Sequence, residues 1–280
     1  MTSSPRSTTI PESGSAGASR PLVYVYAVAG DQGRPARAAS WTRGLGSRTR
    51  LLTAGGLAAL VCDVPASDFS SDALAERLED LETLEGMARA HHETIAAAAR
   101  TTTVLPLRFA TVYEDEARVC AMLTERADEF RTALARLDGH VELGVKVYAE
   151  PGAVAPEAGG AEASGSPGRA YLRRRQAQRH AHRDVHRAAG LVAAGCGEAA
   201  DRFARAGVVH RLQQGVLAEA AGENVFNGAY LVSRDEAAGF VAALEALDRT
   251  EPGTRVVVSG PWVPYSFTEW ARTDDGRRDG

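Results

Sequence analysis

His182 and His186, four residues apart, have the best metal-ligand spacing in the sequence. On a helix, positions i and i+4 share a face, which is how the paired histidines of HExxH zinc sites meet one ion. The residues between them here are Arg183, Asp184 and Val185, so the glutamate that acts as general base in such sites is missing. Arg179 and Arg183 would repel a dication, and the expectation is a solvated helix face with no metal. Adjacent His91 and His92 diverge by about 100° on a helix and cannot easily share an ion. They are expected at the helix surface or its boundary. Cys62, Cys120 and Cys196 are odd in number, widely spaced and without CxxC pairing. Each lies in an apolar stretch with no histidine beside it, the setting of a core thiol rather than a nucleophile or a disulfide framework. No GxSxG, Walker A or GxGxxG sequence is present. Glu114, Asp115 and Glu116 are accounted for by the positive end of a helix dipole. Nothing in this inventory calls for an enzyme, a metal or a cofactor.

The remaining charged and aromatic clusters suit contacts better than reactions. Arg173, Arg174, Arg175, Arg179, Arg183 and Arg187 have the charge to grip phosphates. Asp184 interrupts them, however, the net charge is −4, and no aromatic stacking platform accompanies them. A solvated or protein-binding helix face is favoured over nucleic acid. Trp262, Tyr265, Phe267 and Trp270 fall within nine residues, interrupted by Pro261 and Pro264. The prolines predict an extended segment lying across its own protein, anchored by Trp262, with Tyr265 and Phe267 turned to one side and Ser266 to the other; a partner-facing patch is the alternative. Arg108 and Phe109 follow Pro106. Phe109 is predicted to be buried between a sheet and a helix, and Arg108 to hold a local carboxylate or carbonyl.

These residues need a scaffold. The 280 residues are 44% hydrophobic and 24% charged, the mix of a soluble globular protein of one large or two modest domains. No apolar run approaches the roughly 20 residues that span a bilayer. With its free cysteines, this points to a reducing, cytoplasmic setting. Residues 1–20, rich in Ser, Thr, Gly and Pro, read as a disordered leader.

Leu22–Val28 reads as a buried strand, and Arg50–Thr53 with Leu57–Val64 as a hairpin about Gly55-Gly56. One long helix is predicted from caps at Ser71 and Asp72 through Ala99, and a second from Glu114 to Leu137. Thr101–Arg108 is strand-prone, with Pro106 confined to an edge. Val141–Val147 alternates as a half-buried strand. Residues 150–168 lack large apolar groups and read as a flexible linker. A helix over Arg169 to about Ala206 follows, then strands at Val208–Leu212, Val225–Val232 and Arg255–Ser259. A helix opened by the Ser233/Glu236 capping box lies between the last two. The layout expected is an α+β domain over 21–149, the linker, a second α+β domain over 169–260, and an extended tail over 261–280. Each domain is read as a mainly antiparallel sheet with helices on one face.

Three blocks resemble the gas vesicle GvpL/GvpF family. The opening LVYVYAVAG of Leu22–Gly30 is similar to the family's YxYGIV-like start. TVLPLRFATVYEDEARV from Thr103, followed by GHVELGVKV, resembles its "vlPlrFGTvf … vElgvKv" block. Asn227–Val232 (NGAYLV) and Gly260–Phe267 (GPWVPYSF) resemble its "nlayLV … GPWPPYSF" ending, and Gly168–Leu172 looks like the start of its second half. Two positions depart: Ala110 where the family has Gly, and Val263 where it has Pro. The resemblance implies two domains of modified ferredoxin-like type, no catalytic residues, and a cytoplasmic accessory role in gas vesicle assembly. The implied partners are the hydrophobic shell protein GvpA and other vesicle proteins, with no membrane or nucleic acid. Capture of a shell subunit would use strand addition at a sheet edge or an apolar groove. Two other classes stay open on the residues alone. One is a ligand-sensing α+β regulatory protein. The other is a nucleic-acid binder using the Arg173–Arg187 face.

Overall fold

The computed structural model describes residues 20–31, 45–151, 167–212 and 222–268. The expected leader (save Arg20), most of the linker, Trp270 and the rest of the tail beyond residue 268 lie outside them. The chain runs β1 (Leu22–Gly30), β2 (Arg50–Ala54), β3 (Leu57–Val64), α1 (Ala66–Phe69), α2 (Ser71–Glu79), α3 (Leu81–Ala99), β4 (Val104–Pro106) and β5 (Val112–Tyr113). It continues with α4 (Glu116–Glu125), α5 (Ala127–Leu137), β6 (His140–Ala149), α6 (Pro167–Ala200), β7 (Ala204–Val209), β8 (Glu223–Ser233), α7 (Ala237–Glu245) and β9 (Thr254–Trp262). A 3-10 turn at Tyr265–Phe267 follows.

Two antiparallel sheets result, making the fold α+β. The first has the order β2-β3-β1-β4 with β5 also on β1; the second is β7-β8-β6-β9. β6, expected in the first unit, is instead a central strand of the second sheet, paired with β8 and β9. The hairpin forms as read: Gly55 and Gly56 have φ of 59° and 74°, the left-handed pair a tight two-residue turn requires.

β1 is buried on both faces because its apolar run is continuous rather than alternating. Val23, Val25 and Val28 join one buried cluster with Phe130 and Leu134 of α5 and Ala229 and Leu231 of β8. Tyr24, Tyr26 and Ala27 join another with Phe69, Met87 and Ile95. A register shift between Val25 and Ala27 lets the strand change phase. The far face of the second sheet packs Leu143, Val145 and Val147 against Val185, Ala189, Phe240 and Leu244 of α6 and α7. The α4–α5 pair therefore lies between the two sheets and shares its core with both. Helices on a single face of each sheet, as expected from the sequence, do not describe this arrangement.

The first two predicted long helices are each broken once. Asp80 is extended (φ −82°, ψ 114°), and its carboxylate accepts from Thr83 N at 2.9 Å, ending α2 and capping α3. The buried stripe of α3 is Met87, His91, Thr94, Ile95 and Ala98, while Leu81 is fully on the surface. Arg126 separates α4 from α5. α6 ends at Ala200, and Ala204–Ala206, read as helix, begins strand β7 instead.

Ala110, one of the two departures from the pattern the sequence resembles, has φ of 65°. Its N–H donates to Tyr24 Oη at 2.9 Å, which fixes the turn. A left-handed alanine costs about 1–2 kcal/mol, of which the greater backbone freedom of glycine in the unfolded chain returns part. Ala110→Gly is therefore expected to stabilise the protein by about 0.5–1 kcal/mol in urea denaturation.

Candidate partner-binding site

The carboxy-terminal segment crosses from the second sheet to the first and back into the shared core. Gly260 makes the crossing possible: its φ is 117°, and a Cβ there would sit 2.8 Å from the Glu142 carbonyl oxygen. Val263 and Tyr265 then pack in the cluster on the outer face of the first sheet. Phe267 enters the core between the sheets. Tyr265 and Phe267 thus face different cores, not one side. The cause is the 3-10 turn, where residues two apart diverge instead of aligning. Ser266, between them, donates its N–H and Oγ to the two Glu142 carboxylate oxygens at 2.8 Å each, and His210 Nε2 lies 3.1 Å from the same Oγ. Arg136 holds the Phe267 carbonyl. Burial raises the Glu142 carboxyl above the usual range, and the two Ser266 hydrogen bonds and His210 counter it.

Trp262 is not the buried anchor expected of it. It remains 45% exposed, its ring centroid 5.8 Å from that of His92 in an edge-on arrangement and Nε1 toward Ser259 Oγ at 3.4 Å. His92 also stacks on Tyr265. Trp262 with Pro261, Val263 and Pro264 forms one wall of a cavity of about 290 Å³, faced by Arg100, His140 and Arg234. An adjoining cavity of about 880 Å³ shares Arg100, Thr102, Thr103 and Arg234 and adds Arg131 and Asp138. Together they make a groove where α3, α5 and the tail meet. Arg131 is engaged by Asp128 and the Gly55 carbonyl, and Asp138 by Thr103. Among the described residues, Arg100 and Arg234 have no carboxylate partner. An apolar aromatic wall beside two free guanidiniums suits an amphipathic segment bearing a carboxylate.

The other sequence candidates fall elsewhere. Arg108 is exposed, and its carbonyl accepts from Thr111. Phe109 is half-buried rather than buried, its ring set edge-on 5.6 Å from His91. It lies at the margin of the cluster on the outer face of the first sheet. His91 is buried at 4% exposure, against the surface or boundary position expected for it. Its Nδ1 lies 2.9 Å from Tyr24 Oη, and Tyr26 Oη lies 3.2 Å from Cys62 Sγ. Burial pushes both tyrosine hydroxyls and the Cys62 thiol upward, so this enclosed network is structural. Cys196, also buried, is pushed up to about 11. His182 and His186 do share a face, and β8 brings Glu223 beside them, an approach that sequence spacing could not reveal. The amino-terminal half of α6, from Tyr171 to Asp184, is exposed except for half-buried Ala181, so its arginines form a solvated arm.

The chain matches the family described as gas vesicle synthesis protein GvpL/GvpF over residues 22–269. It is 45% identical to gas vesicle protein L of a Streptomyces species over 259 residues, 90% of this chain and 95% of that protein. With gas vesicle protein F of the same organism it shares 32% identity over 236 residues, 79% and 87% of the two chains. Crystal structures of GvpF from an Anabaena species and from Microcystis aeruginosa superpose with TM-scores of 0.62 and 0.59, at 16% and 15% identity. Each superposition covers 89% of this chain and nearly all of the other (97% and 99%), a likeness of fold.

Proposed function

This chain belongs to the gas vesicle synthesis protein GvpL/GvpF family, and from that premise we propose that it is a non-enzymatic accessory protein which binds the shell protein GvpA during vesicle assembly. Gas vesicle formation is the process its family serves. Higher identity to the L protein than to the F protein of one organism favours the L role. The observation that carries the binding reading is Trp262, left exposed in a segment whose other large apolar residues are covered, at the wall of a groove with two free arginines. Trp and Arg dominate interface energetics when a partner desolvates them. The groove would take an amphipathic segment of the shell protein, its apolar side on Trp262 and a carboxylate on Arg100 or Arg234. Covering that segment would keep it from self-association until it joins the vesicle. No helix among the described residues is long and apolar enough to cross a membrane, and action at the vesicle in the cytoplasm fits this role.

The test is co-precipitation of the full chain with GvpA, with and without nuclease. Recovery of GvpA that survives nuclease is expected. A complex lost on nuclease treatment would point instead to nucleic acid on the Arg173–Arg187 face. Thermal stabilisation by a metabolite with no GvpA binding would point to a ligand sensor.

A further inference from the structure

We propose that His182, His186 and Glu223 form a binding site for a divalent transition-metal ion of the zinc type, which fixes the exposed arm of α6 to the second sheet. The three residues come from two elements distant in sequence: the histidines from successive turns of α6, the glutamate from the first position of β8. One ligand atom of each lies within 4.8 Å of the other two. The imidazole centroids are 4.5 Å apart. Around a tetrahedral ion with bonds near 2.1 Å, ligand atoms stand about 3.4 Å apart, so small rotations of exposed side chains close the site.

His186 supplies a second, independent sign. Its Nε2 is shielded from solvent and makes no aligned hydrogen bond, yet Glu223 Oε2 lies 3.0 Å away. A buried polar nitrogen without a partner is normally avoided. An ion between the nitrogen lone pair and the carboxylate would satisfy both. Two nearby cations have partners of their own: Arg183 donates to His180 Nδ1 at 3.0 Å, and Arg187 to Asp184 at 3.2 Å. Arg179 and Arg183 share a surface hollow with His182, so the two imidazoles and the carboxylate must outweigh their charge. Two imidazoles and a carboxylate favour zinc, nickel, cobalt or copper over calcium or magnesium. Three protein ligands leave a fourth position for water.

The site's place in the fold gives it a use. Among the described side chains of α6, Val185 is the first that is buried, and the run before it, Tyr171–Asp184, spans about 21 Å. An ion bridging His182 to Glu223 would carry the docked part of the helix one turn further and set the direction of the arm.

Isothermal titration of the metal-free full chain with Zn²⁺ tests this, together with the absorption spectrum of the Co²⁺ form. One equivalent bound at micromolar Kd or tighter is expected. His182→Ala and Glu223→Gln, both at exposed positions, should each weaken it at least tenfold, and His180→Ala should leave it unchanged. Hydrogen exchange at amides near residue 182 should slow on adding Zn²⁺. Absence of saturable binding would overturn the proposal. So would binding that survives both substitutions or is lost instead in His180→Ala.

Discussion

Phe267→Ala should cost about 3–5 kcal/mol of stability, the expected loss when a large aromatic is deleted from a close-packed core. The ring is 4% exposed and belongs to the cluster that joins both sheets through α4 and α5. At about 2–4 °C per kcal/mol for a chain of this size, melting should fall by roughly 6–20 °C. Trp262→Ala, nearby but half in solvent, should lower melting far less. Ending the chain before Trp262 should be worse than Phe267→Ala. It also removes Ser266, leaving the half-buried Glu142 carboxylate without its two donors. Urea and thermal denaturation of the three variants would check the order. Unchanged melting in Phe267→Ala would mean that the carboxy-terminal segment is not part of the core.

Acid should destabilise the protein through His91. Burial, with a smaller push from neighbouring His92, lowers its pKa from 6.5 to about 4. Between those values the unfolded chain takes up a proton that the folded chain refuses, so stability falls as pH falls. The full effect, reached near pH 4, is roughly 3 kcal/mol. Glu142 acts in the opposite sense. Its raised pKa makes the folded state bind a proton first, so its contribution is present at low pH and is lost as pH rises through that pKa. It offsets part of the loss from His91. His91→Asn should flatten the dependence between pH 6.5 and 4.5, measured by urea unfolding at each pH. An identical slope in the variant would contradict the assignment.

Local physics was legible in the residues. The Gly55-Gly56 pair gave the hairpin, and the stripe from Val119 to Leu137 marked the face that α4 and α5 bury. The break between those helices was hidden because the stripe runs through it without losing phase. At Asp80 a signal was present: an acceptor three residues before Thr83, which is a capping pattern. His91 was also within reach, since it lies four residues from both Met87 and Ile95 in the buried stripe. What local pattern could not supply was pairing between distant segments. Nothing in Val141–Val147 says that it joins β8 and β9 rather than the strands before it. The same holds for Glu223 beside His182 and His186, and for Arg100 and Arg234 meeting across one groove. The family resemblance carried the reading where local pattern stopped, by joining the Gly260–Phe267 block to a process.

The most direct measurement of the central claim is the affinity of GvpA for the full chain and for Trp262→Ala/Arg234→Ala, each variant first shown to melt near the parent temperature. Saturable binding by the parent and at least tenfold weaker binding by the variant is the predicted result, in keeping with the loss of an interface anchor. Equal affinities would contradict the groove as the site. No saturable binding by either would contradict the proposed capture of the shell protein itself.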